Sequence, residues 1–450
     1  MKDPDLYKQI KIFCNDGVEL IAKAIAGSSA DVPTRVAENF VVVDDHTVSQ
    51  KQSVEIDWSR LVIKREKELE KLSSYQNVVK TLEAHAVIGP QMNTLIGSSG
   101  FMRRMEATEL LGIILTSVLM EKNEASLNES LFNSLYEKIE SFLYTDVFHY
   151  RYFAPISNFS MDVDEIKLGE NLKIVKITKE DKEALLSSSN GFNSTYPILA
   201  FKECAFEFLL DQKKIVGESV SPAPNQQLPE GIARMLFDKV CAALRLYKEG
   251  LIGFNHIWAM NQGWDFFGNS SYLTHKGPTE FYGNKMTLSA QEVPEFLELL
   301  KKYEDVSGKN RKKVINAVSR LSFGTERMRP EDQIIDYFIG LEGLFLSDNN
   351  PELKYRLALS VAHWLGSDFE NRKRIYSIIS KGYDQRSNIV HGGGARPNLS
   401  IDGLVTSIAD HTKLVEGYLR QVTKKFVVEC SDQNKSEEQL LTELREKILQ

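Results

Sequence analysis

The sequence lacks the features that mark secreted and membrane-spanning proteins. Its longest apolar run, Leu110 to Met120, has 11 residues and contains Thr116 and Ser117, so it is too short to cross a bilayer. The first residues, Met-Lys-Asp-Pro-Asp, do not form the apolar core of a secretory signal. The four cysteines are scattered and form no disulfide framework. These absences predict a cytoplasmic protein with no membrane partner.

Sequence motifs for metals and nucleotide cofactors are absent too. The eight histidines include no His-x-x-x-His pair, and the cysteines lack metal-ligand spacing. No lysine follows the segment Gly97 to Gly100, and the glycines Gly392 to Gly394 follow a predicted helix, whereas a phosphate-binding loop opens a helix. We therefore expect neither a metal nor a cofactor.

Charge is distributed unevenly along the chain. The net charge is −7 over 450 residues, which by itself is unfavourable for binding nucleic acid. Residues 301–430 nevertheless hold 21 Lys and Arg against 16 Asp and Glu, a net charge of +5, which leaves −12 on the remainder. This asymmetry favours an anionic partner for the C-terminal half.

The first part of the chain mixes helical and strand patterns. Residues 1–58 contain short β-prone runs and no clear helix, whereas a charged stretch over residues 60–87 favours helix. Two helices are predicted over residues 105–122 and 127–144, and period-two alternation predicts a strand over residues 172–178. Further predictions are strand structure within residues 196–210 and a helix over residues 231–248.

The second part of the chain is helical in pattern. Candidate helices cover residues 290–304, 309–327, 331–347, 351–366, 369–391 and 401–429. We therefore predict an α+β N-terminal region over residues 1–288, with a subdomain boundary near residue 150, and an all-α helical bundle over residues 289–430. A charged C-terminal helix or tail occupies residues 431–450 in this prediction.

The most informative segment is Tyr383 to Gly392, which places Arg386 five residues before His391 at the end of a predicted helix. An arginine binds phosphate whatever the pH, and a histidine transfers protons near neutrality. Upstream lie the segments Leu-Glu-Gly-Leu-Phe at 341–345 and Tyr-Arg-Leu-Ala-Leu at 355–359. With these segments, roughly residues 310–425 resemble the Apea-like branch of the HEPN superfamily. These are helical bundles in which an Arg-x4-6-His motif marks the RNA-cleaving members.

The resemblance implies an activity, a partner and an assembly. It implies a metal-independent endoribonuclease that cleaves RNA, such as tRNA or mRNA, by attack of the 2′-OH, with Arg386 and His391 as catalytic residues. It also implies a homodimer packed through the helix that ends at His391. By analogy of fold, the protein would act in defence or as a toxin, with the N-terminal region as sensor of a protein trigger. At the position after the arginine, where nucleolytic members often carry Asn, Asp or His, this chain has Ser387.

Two charges fall on helix faces that the pattern predicts to be buried. On the helix over 369–391, Arg386 lies among Ile375, Ile379, Gly382, Ile389 and Val390. On the helix over 331–347, Glu342 lies in the stripe of Ile334, Phe338, Leu341 and Phe345. Because an unpaired buried charge costs several kcal/mol, we expect Arg386 and Glu342 to meet. The pair has two interpretations, which are compatible: it fixes the packing of two helices, or Glu342 orients Arg386 towards a phosphate.

The role of His391 has two interpretations as well. It lies about 140° around an ideal helix from Arg386, on the same face as Asp384 and Asn388, which would fix its tautomer or contact a ribose. The simpler interpretation is a histidine that interacts with the dipole at the C-terminus of its helix. The alternative function is accordingly a non-catalytic nucleotide- or RNA-binding or scaffolding module, in which the Arg/His motif is structural.

Overall fold

The computed structural model describes residues 2–27, 31–44, 47–98, 101–187, 202–217, 228–266, 268, 270–273, 285–346, 352–401 and 404–449. Its internal contacts divide the chain into two units. The first unit comprises Met1–Pro155, Gly169–Ala233 and His256–Leu273, and the second comprises Ile156–Leu168, Arg234–Asn255 and Thr274–Gln450. The fold is a mixed one of helices and sheets.

Helices occur in both units. Among the described residues they are α1 (Pro4–Gly27), α2 (Trp58–Lys64), α3 (Glu66–Leu69), α4 (Ser73–Ala84), α5 (Ala107–Lys122), α6 (Glu129–Tyr144), α7 (Lys179–Ser187), α8 (Pro229–Tyr247), α9 (Val293–Gly308), α10 (Lys312–Glu326), α11 (Pro330–Phe345), α12 (Leu353–Leu365), α13 (Phe369–Val390), α14 (Ile408–Asp432) and α15 (Glu437–Leu449). The helices predicted over 105–122, 127–144 and 231–248 are therefore present as α5, α6 and α8.

The strands are short and belong to separate sheets. In the described part of the chain they are β1 (Thr34–Asp44), β2 (Thr47–Ile56), β3 (Thr94–Ser98), β4 (Phe101–Met105), β5 (Val147–Ile156), β6 (Phe159–Met161), β7 (Glu165–Lys167), β8 (Leu172–Lys176), β9 (Cys204–Lys213), β10 (Ile215–Gly217), β11 (His256–Asn261), β12 (Ser270–Leu273), β13 (Met286–Leu288), β14 (Asn398–Ile401) and β15 (Leu404–Ser407). The strand predicted over 172–178 is present as β8. Of the segment 196–210, β9 covers the end, and residues 196–201 lie outside the described residues.

The first unit combines a helical core with antiparallel strands. A larger sheet has the order β12-β11-β5-β9-β8, a smaller one has the order β10-β3-β4, and β1 pairs with β2 as a hairpin. Helices α1, α4, α5 and α6 enclose the apolar core, whose members include the fully buried side chains of Ile10, Val78, Leu110, Ile114 and Ile139.

The prediction of no clear helix within residues 1–58 was wrong, because α1 spans 24 of them. Its buried residues recur every three or four positions and include Leu6, Ile10, Phe13, Val18 and Ile21. Gly17 obscures the pattern, since glycine disfavours a helix interior. In the structure a Cβ at this glycine would lie 3.0 Å from Leu115 Cδ2, so the close packing of α1 on α5 requires a small residue there.

The second unit is a bundle of helices α9 to α15 with short strands beside it. Neighbouring pairs include α10 with α11, α11 with α14, and α12 with α13. Fully buried side chains at their contacts include Leu321, Phe338, Leu341, Val361, Ile379, Leu419 and Phe426. The structure thus contains each helix predicted between residues 290 and 391, with ends shifted by a few residues.

The helix predicted over residues 401–429 begins later, at Ile408, so the expected all-α region contains a β-hairpin. Strands β14 and β15 pair antiparallel, from Asn398 opposite Ser407 to Ile401 opposite Leu404. The β-branched residues before the helix favour strand, and the side chain of Ser407 then caps α14 by accepting a hydrogen bond from the Asp410 backbone at 3.1 Å.

Candidate active site

Helix α13 carries most of the sequence-predicted site residues. It begins at a cap, where the side chain of Asp368 accepts a hydrogen bond from the Asn371 backbone at 2.9 Å. Its buried positions are Ile375, Ile378, Ile379, Gly382 and Gln385. These residues pack α13 against the bundle and fix the direction in which its last turns present their side chains.

The C-terminal end of α13 is closed by backbone hydrogen bonds. The N–H of His391 donates to the carbonyl of Ser387 at 3.0 Å, and the N–H of Gly393 donates to the carbonyl of Asn388 at 2.8 Å. Gly392 has a φ of +81°, in the left-handed region that favours glycine at a helix end. The glycines thus end the helix at His391, as the sequence predicts, and the histidine is exposed.

The predicted contact between Arg386 and Glu342 is confirmed. Nη2 of Arg386, on α13, donates to Oε2 of Glu342, on α11, at 3.1 Å. The two side chains retain 22% and 21% of their exposure, so the pair is half-buried at the edge of the packed face. Nε of Arg386 is buried and donates to no described residue. The one hydrogen bond to Glu342 uses a single N–H of Nη2, so the other N–H groups of Nη1 and Nη2, rather than the buried Nε, are the donors left for another anion.

The buried face of α13 departs from the predicted one in its last turns, although Arg386 keeps only 22% of its exposure. The most buried residue of the last turns is Gln385, at 1% exposure, whereas Val390 is 50% exposed. The amide of Gln385 makes two hydrogen bonds to the backbone of Arg396, one to its carbonyl at 2.8 Å and one from its N–H at 3.0 Å. The face is rotated because the glycine-rich segment folds back on α13, and a polar side chain is needed to satisfy that backbone.

The electrostatics of the pair are dominated by burial. Removal from water raises the pKa of the Glu342 carboxyl, while the charge of Arg386 and a hydrogen bond from Tyr383 act in the opposite direction. Burial and the neighbouring carboxylate raise the pKa of Tyr383, whose ring centroid lies 5.8 Å from the Arg386 guanidinium. The aromatic ring and the carboxylate together restrict where the guanidinium can point.

Asp384 is bound to a different partner from the one expected. Nζ of Lys354, on α12, contacts both of its carboxylate oxygens, at 2.9 and 2.8 Å. Among the described residues, no side-chain hydrogen bond joins His391 to Asp384, Ser387 or Asn388. The structure therefore brings Arg386 to Glu342 and Asp384 to Lys354, and it leaves the His391 imidazole facing solvent.

Two tyrosines near the Lys354–Asp384 ion pair form an exposed aromatic surface. The rings of Tyr355, on α12, and Tyr376, on α13, lie 6.2 Å apart at an angle of 70°. Tyr355 is 52% exposed, and the two rings, with Glu352 and Lys354, line an open depression. On an ideal helix Tyr376 lies about 60° from His391, so both belong to one side of α13.

Sequence reasoning did not identify Tyr383, Lys354 or Gln385. Tyr383 stands three positions before Arg386 and shares its side of the helix, which is a signal that helical spacing contains. The contact of Lys354 with Asp384 depends on how α12 packs against α13, and no local pattern predicts it.

Neither the searched features of the structure nor the comparisons with known proteins identify the site. Within the described ranges, no cluster of three or more His, Cys, Asp or Glu side chains is arranged to hold a metal ion. No helix in that part of the chain has the length and apolar character needed to cross a membrane. Comparison with protein-family models, with curated proteins and with solved structures finds no match for this chain.

Proposed function

We propose that the chain is an endoribonuclease of the HEPN type, cytoplasmic and active as a homodimer. The observation that carries the proposal is the half-buried Arg386, which donates one hydrogen bond to Glu342 and is followed on the same helix by the exposed His391. An oriented cation with spare donors and an accessible imidazole are the two groups that metal-independent cleavage of RNA requires.

In the proposed reaction His391 accepts the proton of a ribose 2′-OH. The O2′ atom attacks phosphorus, the P–O5′ bond breaks, and a general acid protonates the leaving O5′. Arg386 donates hydrogen bonds to the non-bridging oxygens, where negative charge increases in the transition state. The products are a 2′,3′-cyclic phosphate and a 5′-OH, and no step uses a metal.

The geometry of one chain favours a composite site. Arg386 and His391 are about 140° apart around α13, so they face different directions from one helix. A two-fold axis beside α13 would place the His391 of one copy near the Arg386 of the other and would supply a second imidazole as the acid. Both ends of α13 expose apolar side chains, with Phe369 at 74% and Val390 at 50%, which suits a helix that packs against its own copy.

An RNA substrate fits the chemistry around the site. The Tyr355 and Tyr376 rings offer a surface on which a base roughly two or three nucleotides from the scissile phosphate can stack, because Tyr376 precedes Arg386 by about 15 Å along α13. Lys354 supplies a cation next to it for a neighbouring phosphate. In this proposal the substrates are tRNA or mRNA, and the first unit senses a protein trigger in a defence or toxin-like system.

The test is incubation of the purified chain with total tRNA and with mRNA in EDTA. We expect fragments that end in a 2′,3′-cyclic phosphate, and we expect Arg386→Ala and His391→Ala to abolish them. Arg374→Ala is the matched control, because this exposed arginine lies on α13 about 120° around the helix from Arg386.

Sedimentation velocity at micromolar concentration tests the assembly. A monomer that cleaves RNA at the full rate contradicts the composite site. Binding of RNA with no cleavage, unaffected by His391→Ala, contradicts the nuclease and supports the alternative function, a non-catalytic RNA-binding or scaffolding module.

A further inference from the structure

The first unit contains a large cavity that the proposed nuclease chemistry does not use. It has a volume of about 780 Å³ and lies between α2, α5 and strand β4, with Phe13 of α1 and Leu69 at its wall. This volume is within the range of cavities that hold small molecules. Ile63 and Met120 line it and remain 66% and 44% exposed.

The apolar wall of the cavity follows one face of α5. Gly112, Ile113, Thr116 and Met120 recur along it at helical spacing. Gly112 widens the space, because a Cβ built on it would meet only Val62 Cγ1, at 4.0 Å.

The charged lining residues gather at one end of the cavity. Trp58 Nε1 donates to Asn123 Oδ1 at 2.7 Å, so α2 begins beside the end of α5 and the two helices run antiparallel. Glu66, which follows α2, therefore lies at the same end as the residues at the start of α5. Those residues are Glu106 and Glu109, and Arg103 and Arg104 precede them in strand β4.

Two hydrogen-bond donors of the lining are not committed to a partner. Arg103 is paired with Glu109 and Arg104 with Glu106, whereas Arg35 forms no ion pair with any described residue. Tyr75 is only 8% exposed, and its buried hydroxyl has no hydrogen-bond partner among the described residues. A buried hydroxyl without a hydrogen bond destabilises the folded state unless a ligand or a water molecule accepts one from it.

Tyr75 acts as a donor near the charged end. Burial raises the pKa of Tyr75 to about 12, with further contributions from the carboxylates of Glu70 and Glu66, so its hydroxyl stays protonated at neutral pH. The unsatisfied group therefore requires an acceptor.

We infer that this cavity binds an amphipathic small molecule with a carboxylate-type head and a flexible apolar tail. The head accepts the hydrogen bond of Tyr75 and contacts the guanidinium of Arg35, and the tail lies along the α5 face beside Gly112. This inference is independent of the proposed nuclease, because every residue that it uses belongs to the first unit.

Calorimetric titration of the full chain with decanoate tests the inference, with decan-1-ol and decyltrimethylammonium as comparison probes. We expect decanoate to bind most tightly. We expect Tyr75→Phe to weaken its binding about fivefold or more, the usual effect of one lost hydrogen bond. Because the Tyr75 hydroxyl has no hydrogen-bond partner among the described residues, we expect this variant to keep the fold.

Two substitutions at Gly112 separate filling of the cavity from damage to the helix. Gly112→Phe should abolish decanoate binding, whereas Gly112→Ala, which adds only a methyl group to the same helix, should retain it. Unfolding midpoints of both variants show that they are folded. The inference is overturned if decanoate does not bind at millimolar concentration, if the ammonium probe binds equally well, or if Tyr75→Phe and a folded Gly112→Phe bind like the wild type.

Discussion

Arg386 Nη2 and Glu342 Oε2 lie 3.1 Å apart and join α13 to α11, with both side chains about four-fifths buried. The pair is both a packing contact and the device that orients the guanidinium. Because the hydrogen bond to Glu342 uses one N–H of Nη2, the carboxylate positions the arginine without using all of its terminal donors.

Replacement of Arg386 by glutamine should lower the free energy of unfolding by about 1–3 kcal/mol at neutral pH, because it leaves the largely buried carboxylate of Glu342 without its counter-charge. Glu342→Gln should have a smaller effect, because it also removes a carboxylate whose burial is unfavourable. The double variant should be less destabilised than the sum of the two, since each single change leaves the other member of the pair without its partner and the double variant leaves neither. Urea unfolding of the four proteins measures this coupling, and strict additivity would show that the pair contributes no interaction.

The pH dependence of the pair follows from the raised pKa of Glu342. A carboxyl whose pKa is higher in the folded state binds its proton more tightly there, so protonation stabilises the fold. This contribution to stability is complete below the unfolded pKa of about 4.3 and is lost as pH rises through the folded pKa. The stability of the wild type relative to Glu342→Gln should therefore fall as pH increases from about 4. A rise over the same interval would mean that the attraction of Arg386 outweighs burial.

Loss of the Gln385 amide should release the glycine-rich segment after α13. Gln385→Ala removes two hydrogen bonds to the backbone of Arg396 from a site with 1% exposure, and should destabilise the chain by about 1–3 kcal/mol. Hydrogen exchange at the amide of Arg396 should become faster. Ser387→Ala, on the same helix, is the control that should leave this amide protected.

Replacement of two helical glycines by alanine should change the free energy of unfolding in opposite directions. Gly112→Ala should stabilise the chain by about 0.5–1 kcal/mol, because the new Cβ has room and alanine favours helix. Gly324→Ala should destabilise it, because a Cβ there would lie 2.2 Å from Cε1 of the buried Tyr337. Denaturant midpoints compare the two, and equal shifts would contradict the packing described for α10 and α11.

The sequence predicted contacts best where leaving a group without its partner would cost much free energy. The pairing of Arg386 with Glu342 followed from the cost of leaving two charges alone on apolar faces, and the end of α13 followed from its glycines. The rotation of the buried face towards Gln385 was not predictable, because it depends on where the chain after His391 returns. Likewise α1 was missed because Gly17 weakens its local pattern, and only packing against Leu115 explains that glycine.

The most direct test of the proposed activity is a cleavage assay with an oligodeoxynucleotide that contains a single ribonucleotide, in EDTA. Because both substrate and products have defined ends, mass spectrometry identifies the bond that breaks. We predict cleavage only on the 3′ side of the ribonucleotide by the wild type, a 2′,3′-cyclic phosphate on the upstream product, and no cleavage by His391→Ala. Cleavage by His391→Ala at the wild-type rate, or cleavage of the all-deoxy control, would contradict the account.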